Sequence, residues 1–161
     1  MPLPVRTLLA RAALTAMVAA PLGLSAATSA NAAHSGMAAE VITRVNAERK
    51  KVGCSPLRAS EALRKAAQFH SYDMRTKNYF SHTSKDGRTP FDRMRAQGYR
   101  YGSAENIAAG QRTAQAVVSA WMKSTGHRKN ILNCANKAIG VGVSSGSGTY
   151  SIYWTQDFGR V

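Results

Sequence analysis

The sequence predicts an α+β domain, in which several helices accompany a small antiparallel sheet. Two observations lead to this fold class. Between Ala38 and Trp121, four segments repeat apolar residues three and four positions apart, which is the spacing of one helical face. After Asn133 the spacing changes to alternation of apolar and other residues, which is typical of β-strands.

The first two predicted helices lie before residue 75. One begins at Ala38 and stops before Gly53 and Pro56, and the other follows the N-cap Ser60. Because His70 belongs to the apolar stripe of the second helix, we expect a buried core histidine with satisfied hydrogen bonds rather than a ligand. The two stripes consist of Ala38, Val41, Ile42 and Val45, and of Leu63, Ala66, Ala67, His70 and Met74.

The next two predicted helices each begin at a threonine. Thr89 precedes a proline that suits the first helical turn, and this short helix runs through Met94 and ends by Gly98. Thr113 caps the fourth helix. The apolar stripe of the fourth helix consists of Ala114, Val117, Val118 and Trp121.

The C-terminal part of the chain predicts an antiparallel hairpin. Apolar residues alternate over 139–143 and again over 150–154, and a Gly-Ser-Gly turn at 146–148 separates the two runs. Residues 105–108 are a candidate third strand. The glycines at 140 and 142 indicate a strand that packs closely against a neighbouring element.

The first 32 residues have the layout of a signal peptide. Arg6 and Arg11 precede an apolar run over 12–27 that contains no acidic residue, and Ala-Asn-Ala at 30–32 is a small-x-small cleavage site. The run is too short and too broken for a transmembrane anchor. We therefore expect a signal peptide at 1–32, a flexible leader at 33–37, one domain at 38–161 and a secreted, extracellular product.

The chain is strongly basic, with a net charge of +14. Cleavage before Ala33 removes two arginines and no acidic residue, which leaves +12 on 129 residues. Such a charge attracts polyanions, and we expect anionic cell-envelope polymer or lipid headgroups as partners, unless the basic residues form an ordinary solvated surface. No nucleic-acid-binding motif is present, so nucleic acid is not an expected partner. We expect a monomer.

The chain contains two cysteines, Cys54 and Cys134. In an exported protein the pair is expected to form a structural disulfide bond. Two free thiols are the alternative.

Three polar residues are candidates for chemistry, because each stands in a loop-like stretch flanked by aromatic or apolar residues: His82, Glu105 and His127. Two imidazoles and one carboxylate suit zinc or another divalent cation with an open position. Ordinary hydrogen-bonded polar residues are the alternative, since three separated residues need not meet. The common catalytic motifs H-E-x-x-H, G-x-S-x-G and S-x-x-K are absent.

Seven short motifs follow one another along the chain. They are Ser-His-Thr at 81–83, Asp-Gly-Arg-Thr-Pro-Phe at 86–91, Gly-Tyr at 98–99, Glu-Asn-Ile-Ala at 105–108, Trp-Met-Lys-Ser at 121–124, Gly-His-Arg-Lys-Asn-Ile-Leu at 126–132 and Ile-Gly-Val-Gly-Val at 139–143. In this order they resemble the bacterial, SCP-like extracellular branch of the CAP superfamily, which includes cysteine-rich secretory proteins, antigen five and pathogenesis-related class one proteins. The resemblance extends from about Ala38 to Phe158.

The resemblance implies an α-β-α sandwich with a central cleft, where many eukaryotic relatives gather two histidines and two glutamates that bind a divalent ion. His82 and Glu105 match the first histidine and the first glutamate of that set. The other two positions hold Ser124 and Tyr153, and His127 is the candidate for the second imidazole. Weak or conditional metal binding is therefore expected.

The expected function is a secreted, non-enzymatic binding module whose cleft holds a divalent metal or a small ligand. The cleft residues would be His82, Glu105, His127, Asn106 and Tyr153. The alternative is a metal- or histidine-assisted extracellular hydrolase that uses His82 or His127 as a general base, with Glu105 orienting that base or holding a metal-bound water. A further alternative is lipid or sterol binding, as in some eukaryotic relatives. Binding ranks first because no nucleophile is visible.

Overall fold

A computed structural model describes residues 23–161 of the chain. The helices are α1 (Gly23–Lys51), α2 (Glu61–Thr76), α3 (Pro90–Ala96), α4 (Ala114–Lys123) and α5 (Thr125–Ile131). The strands are β1 (Arg58–Ala59), β2 (Gly102–Ala109), β3 (Ala138–Ser145) and β4 (Ile152–Gly159). Most of the predicted signal peptide at 1–32 lies outside the described residues, so its cleavage stays a prediction. Within 23–161, no helix is both long and apolar enough to cross a bilayer.

The strands form one sheet in the order β1-β3-β4-β2. The predicted hairpin is confirmed as the antiparallel pair β3 and β4, and the predicted third strand is confirmed as β2, which pairs antiparallel with β4. The α+β class is therefore confirmed. The sheet is not purely antiparallel, because the two-residue strand β1 pairs parallel with β3. A strand this short has no alternation that a sequence could show.

Helices cover both faces of the sheet, which confirms the α-β-α sandwich. On one face, Val41 and Val45 of α1 and Trp121 of α4 pack in the main core against apolar side chains of β3 and β4. On the other face, α2 packs across the two strands and α3 packs beside it. Because side chains alternate along a strand, the residues of β4, and those of β2 from Ala104 onward, face α2 where their numbers are odd and α4 where they are even.

The closest approach between layers is that of α2 to β3. A side chain at Gly140 would overlap the backbone at Leu63, and one at Gly142 would overlap the backbone at Ala67. The helix therefore rests directly on the strand. This contact confirms the interpretation that the two glycines permit close packing.

The helix starts agree with the predicted caps. Ser60, Thr89 and Thr113 each accept a hydrogen bond from a backbone amide in the first turn of α2, α3 and α4. At the N-terminus, however, residues 33–37, where we expected a flexible leader, are part of α1. Met37 packs partly against the main core, which helps to explain why the helix begins before Ala38.

The predicted disulfide bond is present between Cys54 and Cys134, whose Cα atoms are 5.0 Å apart. It joins the connection after α1 to the connection after α5. Arg49 fastens the same region, because its fully buried guanidinium donates hydrogen bonds to four backbone carbonyls. Those carbonyls belong to Ser55, Ile131, Asn133 and Asn136.

Candidate functional site

The candidate site begins with a contact between His82 and Glu105. His82 lies in the connection between α2 and α3, and Glu105 lies on β2. Nδ1 of His82 donates to Oε1 of Glu105 at 2.7 Å. The imidazole is half exposed, whereas the carboxylate side chain is only 2% exposed. The contact therefore orients a solvent-reachable imidazole on a buried carboxylate.

Arg93, on α3, holds the other oxygen of the same carboxylate. Its Nη2 donates to Oε2 of Glu105 at 2.6 Å, and both side chains are almost fully buried. Nη1 donates to the backbone carbonyls of His82 and Arg88 and to the hydroxyl of Ser84. Arg93 thus neutralises Glu105 and anchors the loop that carries His82.

Asp157, on β4, lies opposite Glu105 in the sheet register. It is fully buried, and neither of its carboxylate oxygens has a hydrogen-bond partner among the described residues. Burial, and then the negative charge of Glu105, raises the pKa of Asp157 well above its ordinary value. Burial and the charge of Glu105 therefore favour the neutral form of Asp157 beside the buried pair of Glu105 and Arg93.

His127 lies on α5 and not in a loop. It approaches the site around the free edge of β2, where its backbone carbonyl accepts a hydrogen bond from Nδ2 of Asn106 at 3.2 Å. Burial lowers the pKa of His127, and the nearby His82 lowers it further. His127 is therefore close to His82, although no hydrogen bond joins it to Glu105.

The other two predicted cleft residues are buried inside the fold. Asn106 lies on the α4 side of β2 and joins Gln156 and Asn130 in a network of amides. Tyr153 packs on the α2 side with Met74 and Ile107. Neither side chain is accessible to a ligand from solvent, so both residues belong to the interior of the fold.

An open cleft of about 310 Å³ lies along the outer edge of β2, and we call it the β2 cleft. Phe80 and Tyr150, which are 45% and 46% exposed, stand in its wall with their rings 5.9 Å apart. The buried Oε1 of Gln111 has no hydrogen donor among the described residues. The cleft is lined by Phe80, Ile107, Ala108, Ala109, Gln111, Ala120, Trp121, Ser124, His127 and Tyr150.

The donor groups do not fit a resident metal ion. Both oxygens of Glu105 are already held, by His82 and by Arg93. Ser124 stands where the eukaryotic relatives have a second carboxylate, and Tyr153 is buried. Across residues 23–161, no group of three or more histidine, cysteine or acidic side chains is placed to hold a metal. Zinc binding stays a prediction from the sequence, and the engagement of both Glu105 oxygens does not favour it.

His70 agrees with its predicted role as a core residue. It is fully buried, and its Nε2 donates to the backbone carbonyl of Ser81 at 2.9 Å. Burial is the main reason that its pKa falls to about 4, so the imidazole is neutral near physiological pH. The hydrogen bond fixes the start of the loop that carries His82.

Sequence reasoning missed Arg93 and Asp157. Asp157 lies beyond the alternation predicted over 150–154, so that pattern did not place it inside the sheet, where a charged residue needs a partner. Arg93 likewise gives no signal, since a charged residue in a short helix is usually exposed.

Comparison with known proteins supports the same fold and domain. The model of the cysteine-rich secretory protein family, CAP, matches residues 42–158. YkwD, an uncharacterized Bacillus subtilis protein, is 50% identical over 133 residues, which cover 81% of this chain and 50% of YkwD. The uncharacterized membrane protein YlbC of the same organism is 35% identical over 120 residues, covering 74% of this chain and 33% of YlbC.

Among solved structures, an extracellular SCP-domain protein from Bacillus anthracis aligns with a TM-score of 0.71 and 32% identity. The alignment covers 80% of this chain and 41% of that protein. The chain thus spans half or less of the length of these relatives. Because the family model matches residues 42–158 and the fold agrees with that of an SCP-domain structure, the chain belongs to the cysteine-rich secretory protein family, CAP.

Proposed function

We propose that the chain is a secreted, non-enzymatic binding module and that its ligand lies in the β2 cleft. The observation that carries this proposal is the occupation of Glu105. Both of its oxygens are held internally and its side chain is only 2% exposed, so a substrate or a metal ion does not reach the carboxylate from solvent. The cleft beside it, in contrast, offers two exposed rings and an unpaired acceptor. These are groups that hold a ligand rather than transform it.

The chemistry of the cleft limits the ligand. Phe80 and Tyr150 favour a flat apolar face, because aromatic rings stack on such surfaces. The Oε1 of Gln111 has no donor among the described residues and is closed to solvent, but the residue lines the cleft and is only partly buried, so a turn of its side chain would present this acceptor to a ligand donor. The ligand is therefore a small amphipathic molecule, or the tip of a larger one, that combines a ring with an N–H or O–H group.

The cellular setting in this proposal is the outside of the cell. The extracellular description of the B. anthracis protein supports export, and so does the signal-peptide layout of residues 1–32. After cleavage the net charge of +12 favours retention at anionic envelope polymer. N-terminal sequencing of protein from culture supernatant checks this, and the expected first residue is Ala33. An intact Met1 in the membrane fraction would refute export with cleavage.

Phenol and indole are suitable probes of the cleft, because each joins a ring to one donor, and toluene is the matched control without a donor. We expect phenol and indole to shift the amide NMR signals of the cleft residues, and toluene to bind less well. The variant Phe80→Ala/Tyr150→Ala should lose this binding. Tyr101→Ala is the control, because Tyr101 is 61% exposed and does not line the cleft. Equal binding in both variants would reject the site.

Hydrolysis is the second candidate function, and one observation favours it. Glu105 holds Nδ1 of His82 and leaves Nε2 of a half-exposed imidazole free to take a proton from water. The pure protein should be tested for turnover of peptide, glycan and ester libraries. If the wild type turns over a substrate and His82→Ala does not, the protein is a histidine-assisted hydrolase and the binding-module proposal is wrong.

A further inference from the structure

A second concave site lies between α2 and α3, and we call it the α2–α3 groove. Its volume is about 350 Å³, which is within the range of small-ligand sites. No lining residue is shared with the β2 cleft. The groove is lined by Ala66, Phe69, His70, Tyr72, Asp73, Ser84, Arg88, Arg93 and Gln97.

Two exposed aromatic side chains border the groove. Phe69 and Tyr72 are 58% and 54% exposed, and they are separated by three positions on α2, so they are neighbours on the helix surface. Single exposed apolar residues are ordinary on protein surfaces. Here, however, both residues line one concavity, and the guanidinium of Arg75 lies 5.1 Å from the ring centre of Tyr72. Together they form an aromatic platform beside polar groups.

The polar groups of the groove are mixed in kind and largely balanced in charge. Asp73 is paired with Lys77 and accepts a hydrogen bond from Tyr79. Arg88 is paired with Asp86. Gln97 and Ser84 add an amide and a hydroxyl. This combination of donors and acceptors without a strong excess charge suits several hydroxyl groups better than a phosphate.

Arg93 forms part of the inner wall of the groove. Its side chain is only 4% exposed, and its guanidinium donates to Glu105 and to Ser84. Its Nε is closed to solvent, so a ligand in the groove does not reach that donor. The groove thus combines mixed polar side chains with aromatic faces.

From these observations we infer that the α2–α3 groove is a carbohydrate-binding site that takes a neutral saccharide. The apolar C–H face of a pyranose ring stacks on Phe69 or Tyr72, because the face of an aromatic ring is electronegative and attracts polarised C–H groups. The ring hydroxyls exchange hydrogen bonds with Asp73, Arg88 and Gln97. This site is separate from the ligand site proposed in the β2 cleft.

The test uses protein recovered after expression of the full chain and two neutral tetrasaccharides, one of N-acetylglucosamine and one of glucose. Calorimetric titration should detect binding of at least one. Loss of both rings in Phe69→Ala/Tyr72→Ala should weaken that binding about tenfold or more. Both residues are exposed, so the variant is expected to fold, and a circular dichroism spectrum checks this. Phe91→Ala is the control, because Phe91 is also exposed but lies outside the groove.

The results separate this site from the β2 cleft. Saccharide binding that survives in Phe80→Ala/Tyr150→Ala and falls in Phe69→Ala/Tyr72→Ala supports the inference. Absence of binding by both tetrasaccharides overturns it, and so does equal affinity in the groove variant and the wild type. Binding of poly(glycerol phosphate), but of neither neutral saccharide, also overturns it, because the groove would then select anions.

Discussion

Asp157 is a buried acid whose environment opposes ionisation. In the folded chain burial, and then the charge of Glu105, raises the pKa of Asp157. In the unfolded chain its pKa is the ordinary value of about 4. The folded state therefore keeps a proton that the unfolded state releases. Its contribution to stability is complete below about pH 4 and decreases as the pH rises toward the folded-state pKa.

Asp157→Asn should therefore stabilise the protein relative to wild type by an amount that grows as the pH rises from about 4 to 7. Asparagine is almost the same size and cannot ionise, so no cavity or charge is introduced. Urea denaturation of both proteins at several pH values measures the difference in unfolding free energy. A difference that stays constant with pH would show that Asp157 is not a raised-pKa acid.

Arg93 compensates the buried charge of Glu105. Arg93→Met should destabilise the fold by about 3–5 kcal/mol, because it leaves a buried carboxylate without its cation. Arg95→Met is the matched control on the same helix. Arg95 is 57% exposed and pairs with the exposed Asp92, so its loss should cost less than about 1 kcal/mol. Equal losses in the two variants, measured by urea denaturation, would contradict this role for Arg93.

At the scale of elements, the contact between α2 and β3 depends on the absence of side chains at Gly140 and Gly142. A methyl group at position 142 would overlap the backbone at Ala67 and Gln68, so the helix and strand must separate. We expect Gly142→Ala to destabilise the fold by about 1–3 kcal/mol or more. Thermal unfolding followed by circular dichroism measures the effect.

Gly126→Ala is the control for this substitution. Gly126 lies in α5, and a methyl group there would meet no atom within 4 Å. Alanine should stabilise α5 by about 0.5–1 kcal/mol, because glycine loses more backbone freedom on folding. If both alanine variants were equally stable, packing of α2 on β3 would not explain the glycines.

For the whole molecule, the disulfide bond and Arg49 fasten the same junction between α1, α5 and β3. The disulfide closes a loop with a sequence separation of 80 residues. Removing both cysteines, as Cys54→Ala/Cys134→Ala, should cost about 2–3 kcal/mol, in the lower part of the usual range, because Arg49 still ties the two connections. Urea denaturation measures the loss in unfolding free energy. A loss near zero would show that the hydrogen bonds of Arg49, and not the disulfide bond, stabilise this junction.

The sequence by itself determined the local elements and the family. Alternation over 139–143 and 150–154 predicted β3 and β4, and the caps at Ser60, Thr89 and Thr113 predicted three helix starts. These features depend on side-chain spacing and on hydrogen bonds between near neighbours, which the sequence displays directly. The cysteine count and the ordered motifs likewise predicted the disulfide bond and CAP membership.

Some short elements could not be read in this way. α5 has seven residues, contains Gly126 and receives no side-chain hydrogen bond from its N-cap Ser124. It depends on the burial of Ile131 in the main core, which is a tertiary contact. The two residues of β1 depend in the same way on pairing with β3. Local periodicity carries no signal at these lengths.

The arrangement of the candidate site was decided by tertiary structure alone. Glu105 and Asp157 become neighbours only because β2 pairs with β4 in one register, and Arg93 reaches them only because α3 packs on that face. The two predicted residues His82 and Glu105 do meet, but Arg93 occupies the carboxylate position that a metal ion would need. Spacing along the chain predicts the helices, the strands and their apolar faces. The partner of a buried charge such as Glu105 is fixed instead by strand register and helix packing.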